Sequence, residues 1–214
     1  MASKLDLYNA ALIEIGDRAL ASLSESVESR RILDSVYDRV LAECLAAGQW
    51  NFAARPLKVT SDTGVTPAFG ETEVFLKPTD FVRLTAISGD ENFSFPLLDY
   101  TDEVDRWVGN VSPMYVKYIS NGASYGLNLT AWPELFTRYV ELSLALRIVK
   151  RLTDSQTKYE TIMRDQRQAK KAALNVDTMN EAQPKFAPPS GWTMSRWGRG
   201  GGRRDRGNRG SLLG

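Results

Sequence analysis

At 214 residues, with 43% hydrophobic and 25% charged side chains, the chain is large enough to bury its own core and shows none of the bias of disordered or fibrous proteins. It has no histidine and one cysteine, Cys44, which excludes an internal disulfide and a cysteine metal cluster and removes the usual neutral-pH base, zinc ligand and triad partner. The formal charge of +1 is unevenly spread: from Gly191 onward six arginines meet one aspartate, a local +5, which leaves −4 on residues 1–190.

In chain order, Leu5, Tyr8, Leu12 and Ile15 recur at steps of three and four and predict a first helix, ended by Gly16. Ser22 lies three residues before Glu25, the spacing of a capping box at the start of a second helix. The buried stripe of that helix is expected at Leu33, Val36, Tyr37, Val40, Leu41, Cys44 and Leu45, and a short connection makes the pair an antiparallel hairpin. At the corner Gly48-Gln49-Trp50-Asn51-Phe52 the helical period stops. Short β-branched or aromatic runs follow at 55–61, 73–78, 81–87 and 114–119, which predict four or five strands. A short helix is expected at 101–108, and a returning strand at 127–129. Helical periodicity resumes with Pro133 at a first helical position, then Leu135, Tyr139, Leu142, Leu146 and Val149 on one stripe. Asp154 is the expected N-cap of a fourth helix, to about residue 175, whose inner face of Tyr159, Ile162, Met163, Gln166, Ala169, Ala173 and Val176 is thin. The pattern is α+β: a bundle of about four helices from residues 1–50 and 131–176, an inserted antiparallel β module at 51–130, and an extended Arg/Gly-rich arm at 177–214.

No apolar run reaches the roughly 20 residues that span a bilayer, and the N-terminus lacks the pattern of a signal peptide, so the expectation is a cytoplasmic product with no membrane association. The segment GRGGGRRDRG (198–207) has the makeup of arms that bind single-stranded nucleic acid through charge and stacking. It equally suits an arm that docks on a protein partner through Phe186, Trp192, Arg196, Trp197, Arg199, Arg203, Arg204 and Arg206, since aromatics and arginine dominate interface energetics. Its glycines have no phosphate-loop spacing. Asp99, Asp102, Glu103 and Asp105 crowd together without the offsets of a calcium loop, and are read as a solvated helix start. Cys44, Trp50 and Phe52 are read as core, and the Ser155/Lys158 spacing as an exposed first turn. No catalytic, cofactor-binding or metal-binding residues are expected, and composition and spacing alone indicate an assembly or binding protein.

The strings LYNAALIEIG (7–16), LASLSESVESRRILD (20–34) and AGQWNFAAR (47–55) resemble the N-terminal third of the phage tail tubular protein A family, the head-to-tail adaptors of short-tailed bacteriophages. The resemblance is most specific over residues 5–55, where Ile15 stands in place of the more usual leucine; beyond that only the element order and an extended tail are similar. It implies a structural virion protein, not an enzyme. Such a protein forms a homo-oligomeric ring, usually of twelve copies, between portal protein and tail nozzle protein, with double-stranded genome DNA passing through without sequence recognition. The resemblance also implies that the C-terminal arm reaches along the portal or a neighbouring adaptor. A mildly acidic body suits a channel for sliding DNA, because strong phosphate contacts would retard it. The alternative is a nucleic-acid-binding protein acting through its Arg/Gly-rich tail.

Overall fold

Helix α1, Lys4–Ile15, is closed at both ends by local chemistry. The computed structural model describes residues 3–67 and 70–180. At the start of α1 the Asp6 N–H donates to Ser3 Oγ (3.2 Å) and the Ser3 N–H to the Asp6 carboxylate (3.0 Å), a reciprocal capping box. At its end Gly16 adopts φ 77, where a side chain would be strained, and its N–H donates to Ile13 O. Leu7, Tyr8, Ala11, Leu12 and Ile15 are buried between these caps.

Helix α2, Glu28–Ala46, carries the expected buried stripe, with Val36 half-buried. The expected box at Ser22 and Glu25 does not cap it. Its N-cap is Val27, with no side-chain bond, while Glu25 accepts from the Ala21 N–H (3.0 Å) and pairs with Arg18. The reason lies upstream: Asn9 accepts from the Leu20 N–H (2.7 Å) and donates to Leu20 O (3.1 Å), drawing Leu20 into the core and keeping residues 17–25 as a loop of their own.

Strand β1, Ala54–Val59, leaves the corner that follows α2. It forms one antiparallel sheet with β3, Phe81–Ser88, and β6, Met114–Ser120, in the order β1-β6-β3. A second antiparallel sheet has the order β2-β5-β4, from Glu73–Leu76, Arg106–Gly109 and Tyr100–Asp102. Six strands therefore replace the expected four or five, and the short helix expected at 101–108 is the β4–β5 hairpin. Side chains there serve the sheet, with Trp107 and Val108 buried and 102–105 exposed at the tip. The strand expected at 127–129 is instead the approach to a 3₁₀ turn at Leu129–Ala131, because Asn128 Oδ1 accepts from the Thr130 N–H (3.3 Å) and tightens the chain.

Helix α3, Glu134–Thr153, and helix α4, Gln156–Asn180, complete the α+β fold. Pro133 is the N-cap of α3 rather than its first residue. Leu135 faces outward and Leu146 is half-buried, since α3 packs against α1, α2 and α4 and buries more than one stripe. Asp154 ends α3 at φ 46 instead of starting α4; an aspartate tolerates this left-handed turn, and the cap of α4 passes to Ser155, whose Oγ accepts from the Lys158 N–H (3.4 Å). The apolar face of α4 is thin as expected, with Ile162 and Ala173 buried, and the helix runs to Asn180, past the boundary expected at 176.

Two cores result. One joins all four helices with Trp50, Ala53 and Ile119; the other, Phe75, Ile87, Trp107, Met114, Val116 and Tyr118, lies within the β module. Strand β6 serves both through neighbouring residues, as alternation across a strand requires. At the boundary Asp80 accepts from Arg55 Nη1 (2.8 Å), Tyr118 Oη (2.9 Å) and Ser120 Oγ. Burial alone would raise the Asp80 pKa, but the hydrogen bonds from Ser120, Arg55 and Tyr118 outweigh it and hold the carboxyl below its usual range.

Trp50 is 1% exposed, so Trp50→Ala is expected to lower unfolding free energy by roughly 3–5 kcal/mol, checked by urea titration. Asp80 has a lower pKa folded than unfolded, so its contribution is present above the ordinary carboxylate pKa near ~4 and is lost as pH falls through the lowered folded value. Asp80→Asn should therefore destabilise the protein at neutral pH and flatten the loss of urea midpoint below about pH 4.

Candidate functional site

The stretch AGQWNFAAR becomes a clamped corner. Gly48 is buried, and a Cβ there would lie 2.6 Å from Leu174 Cδ2 and 3.0 Å from the Trp50 ring, so its lack of a side chain lets α4 approach. Trp50 Nε1 donates to Cys44 O (3.0 Å), satisfying a carbonyl at the end of α2. Its ring meets Phe136 edge-on at 4.8 Å, and Phe52 lies 4.7 Å from the same Phe136. One residue on, the Asn51 N–H donates to both carboxylate oxygens of Asp177 (3.1 Å each) and Asn51 Nδ2 to Asp177 O (2.8 Å). The turn between helix and strand is thereby tied to α3 and to the last turn of α4. Beside it opens a largely apolar groove of about 220 Å³, lined by Pro133, Leu135, Phe136, Val176 and Asn180 among others.

A second cleft, of about 320 Å³, lies between α2, α3 and α4. Arg147 pairs with Glu43, which also accepts from Arg39 Nε (3.3 Å); hydrogen bonding from Arg147 holds the Glu43 carboxyl below its usual pKa. Lys150 Nζ stands 4.1 Å from the centre of the Tyr159 ring. Gln166 Nε2 donates to Ser143 Oγ (3.3 Å), whose own hydroxyl donates to Tyr139 O (2.7 Å). Burial pushes the Cys44 thiol up to about 11, so at neutral pH it is the inert thiol and not the thiolate. Glu43 and Arg147 are paired across its walls, and the Lys150 ammonium faces an aromatic ring.

The carboxylates at 99–105 are dispersed rather than convergent. Lys77 Nζ pairs with Asp102 and bonds Glu103 O, Arg106 pairs with Asp105 (2.9 Å) and Glu103 (3.5 Å), and Asp99 is exposed. Asp102, Glu103 and Asp105 lie at a hairpin tip, not the helix start expected of them, and Asp99 lies before β4 at the other end of the hairpin; no group of three or more such ligands among the described residues could hold a metal ion. Lys158 makes a contact sequence reading missed: its Nζ donates to Ile15 O (2.7 Å) and completes the end of α1. That partner is 143 residues away, so no local spacing signals it. The same holds for the network of Asp80 and for Asp177 on Asn51. Phe186, Trp192, Arg196, Trp197, Arg199, Arg203, Arg204 and Arg206 lie outside the described residues.

No protein-family model and no curated protein matches the chain.

Asp177→Ala removes the acceptor of the Asn51 N–H. It is expected to destabilise the fold by about 1–3 kcal/mol, with Asp177→Asn costing less because one acceptor oxygen remains. Chemical denaturation monitored by tryptophan fluorescence checks both.

Proposed function

We propose that this chain is a structural subunit of a head-to-tail adaptor ring, joining a portal to a tail nozzle around a channel for double-stranded DNA. The observation that carries this reading is the use made of the residues that resemble the phage tail tubular protein A family. Leu7, Tyr8, Leu12 and Ile15 are buried between caps, Trp50 closes the end of α2, and Asn51 is held by Asp177. These side chains set the geometry of a subunit and present no reactive group, as a scaffold requires. The cleft between α2, α3 and α4 supports the same reading, because its cysteine is protonated and its glutamate is paired.

The arm after Asn180 supplies the attachment in this reading, through its aromatics and arginines. Light scattering of the isolated chain should give a monomer or a heterogeneous population that becomes a defined ring complex when purified portal rings are added. A stable monomer that ignores portal rings overturns the proposal. Removal of residues 182–214 should leave helical circular dichroism intact and weaken docking on the portal. The six tail arginines favour nucleic-acid binding as a second reading, which predicts filter binding that falls steeply with salt and disappears in the same truncation.

A further inference from the structure

The uneven charge of the chain falls on separate surfaces. Residues 131–180 hold nine basic and six acidic side chains, whereas residues 54–130 hold six basic and ten acidic ones. On α4, Arg164, Arg167 and Lys171 recur at i, i+3 and i+7, which places them on one face of the helix. All three are exposed. Among the described residues, Arg164 pairs with its neighbour Asp165 at 3.3 Å, Arg167 lies against Met163 Sδ, and Lys171 has no ion pair. One turn before Arg164 on this face stands Glu160, which accepts from Gln156 Nε2 (2.8 Å); from Arg164 onward the face is a row of cations to which the described residues supply one weak counter-ion, Asp165.

The acidic counterpart is the loop between β3 and β4. It is pinned: Ser88 Oγ donates to Phe95 O (2.8 Å), the Leu97 N–H to Ile87 O (2.9 Å), and Lys117 Nζ stands 4.7 Å from the centre of the Phe93 ring. Phe93 itself sits at φ 52, a left-handed conformation that a bulky residue keeps only where its surroundings over-determine it. What this loop holds in water is apolar. Phe95 is 80% and Leu98 86% exposed. Glu91 and Asp99 flank them, both exposed and without an ion pair among the described residues. Exposed apolar groups rimmed by charge mark a surface for a partner.

We propose that the partner is a second copy of this chain: the 91–99 loop of one subunit seats on the Arg164, Arg167 and Lys171 face of α4 in the next. A polyanion would satisfy the basic face alone and leave the acidic loop and its two apolar side chains uncovered. A second copy covers both. Glu91 and Asp99 meet cations, and Phe95 and Leu98 are covered by the aliphatic stems of the arginine and lysine side chains. Because the two surfaces differ, the contact is heterologous and repeats from subunit to subunit, closing where the rotation allows. The inference deepens the ring reading above and rests on it for closure.

The test uses the full chain and sedimentation velocity at low ionic strength. The wild-type protein should self-associate with concentration, and salt should weaken this as it screens the charge pairs. R167E/K171E and E91K/D99K change only exposed side chains, should keep the wild-type circular dichroism, and should each weaken association by about tenfold or more. Mixing them brings the intact loop of one variant to the intact face of the other, and the reversed loop to the reversed face, so the mixture should associate where neither variant does alone. The chain with all four reversals should associate again. A wild-type chain that stays monomeric at every concentration overturns the inference, as does association unaltered in the variants. So does a result in which R167E/K171E abolishes duplex DNA binding by the full chain while self-association is unchanged. Portal rings separate this contact from the adaptor reading. Variants that assemble on the portal like the wild type remove the contact and leave the adaptor standing. Wild-type protein that ignores the portal, while the mixed variants and the four-reversal chain regain association, removes the adaptor and leaves the contact.

Discussion

The carboxylate of Asp177 on the backbone N–H of Asn51 is the contact on which the rest of the fold depends. A helix that ends and a strand that begins leave main-chain groups without partners, and burying them unpaired is costly. Here the Cys44 carbonyl is taken by the Trp50 indole and the Asn51 amide by Asp177, a residue 126 positions further on. The direction in which β1 leaves the bundle is thus decided jointly by α2, which ends there, by α3, which supplies Phe136, and by α4, whose last turn supplies the acid. Gly48 makes this possible, because any side chain at that position would meet Leu174 and the Trp50 ring.

The β module repeats the same economy at its own base. Strand β6 sends Ile119 to the helical core and Tyr118 to the module's core, so the central strand of one sheet is shared by two hydrophobic interiors. Where those interiors meet, a polar group must be satisfied in place of packing, and Asp80 does this with Arg55, Tyr118 and Ser120. Two cores are thus joined through one strand and one partly buried carboxylate.

Charge on the subunit follows the same division. Cations gather on α3 and α4, while acids gather on the β module. Within the module, Lys77 and Arg106 hold the hairpin tip by pairing with its own carboxylates, so that cluster is internally satisfied. The 91–99 loop and the outer face of α4 are less compensated within the fold and are opposite in sign.

Much of this fold was legible in the chain. Local rules operate over three or four residues, and they were enough for the four helices, the glycine that ends α1, the buried stripe of α2, the change of period at residue 51 and four of the six strands. They failed where two local rules compete or where a partner lies far away. Ser22 and Glu25 have the spacing of a capping box but are claimed by the loop that Asn9 organises; Asp154 is a good N-cap but takes the left-handed turn that ends α3. The carboxylates of 101–108 imitate a helix start until Trp107 is buried in a sheet. Of the candidate surfaces, composition alone marked the Arg/Gly-rich arm, whereas the clamped corner rests on a contact between residues 126 positions apart and the two exposed surfaces on what the folded chain leaves uncovered. Sequence by itself therefore determined the kinds of element and their order, because hydrophobic period and turn chemistry are local. Only the tertiary structure decided how the corner is held, which carboxylates are satisfied and which apolar groups stay in water, because these depend on partners that the chain brings together only by folding.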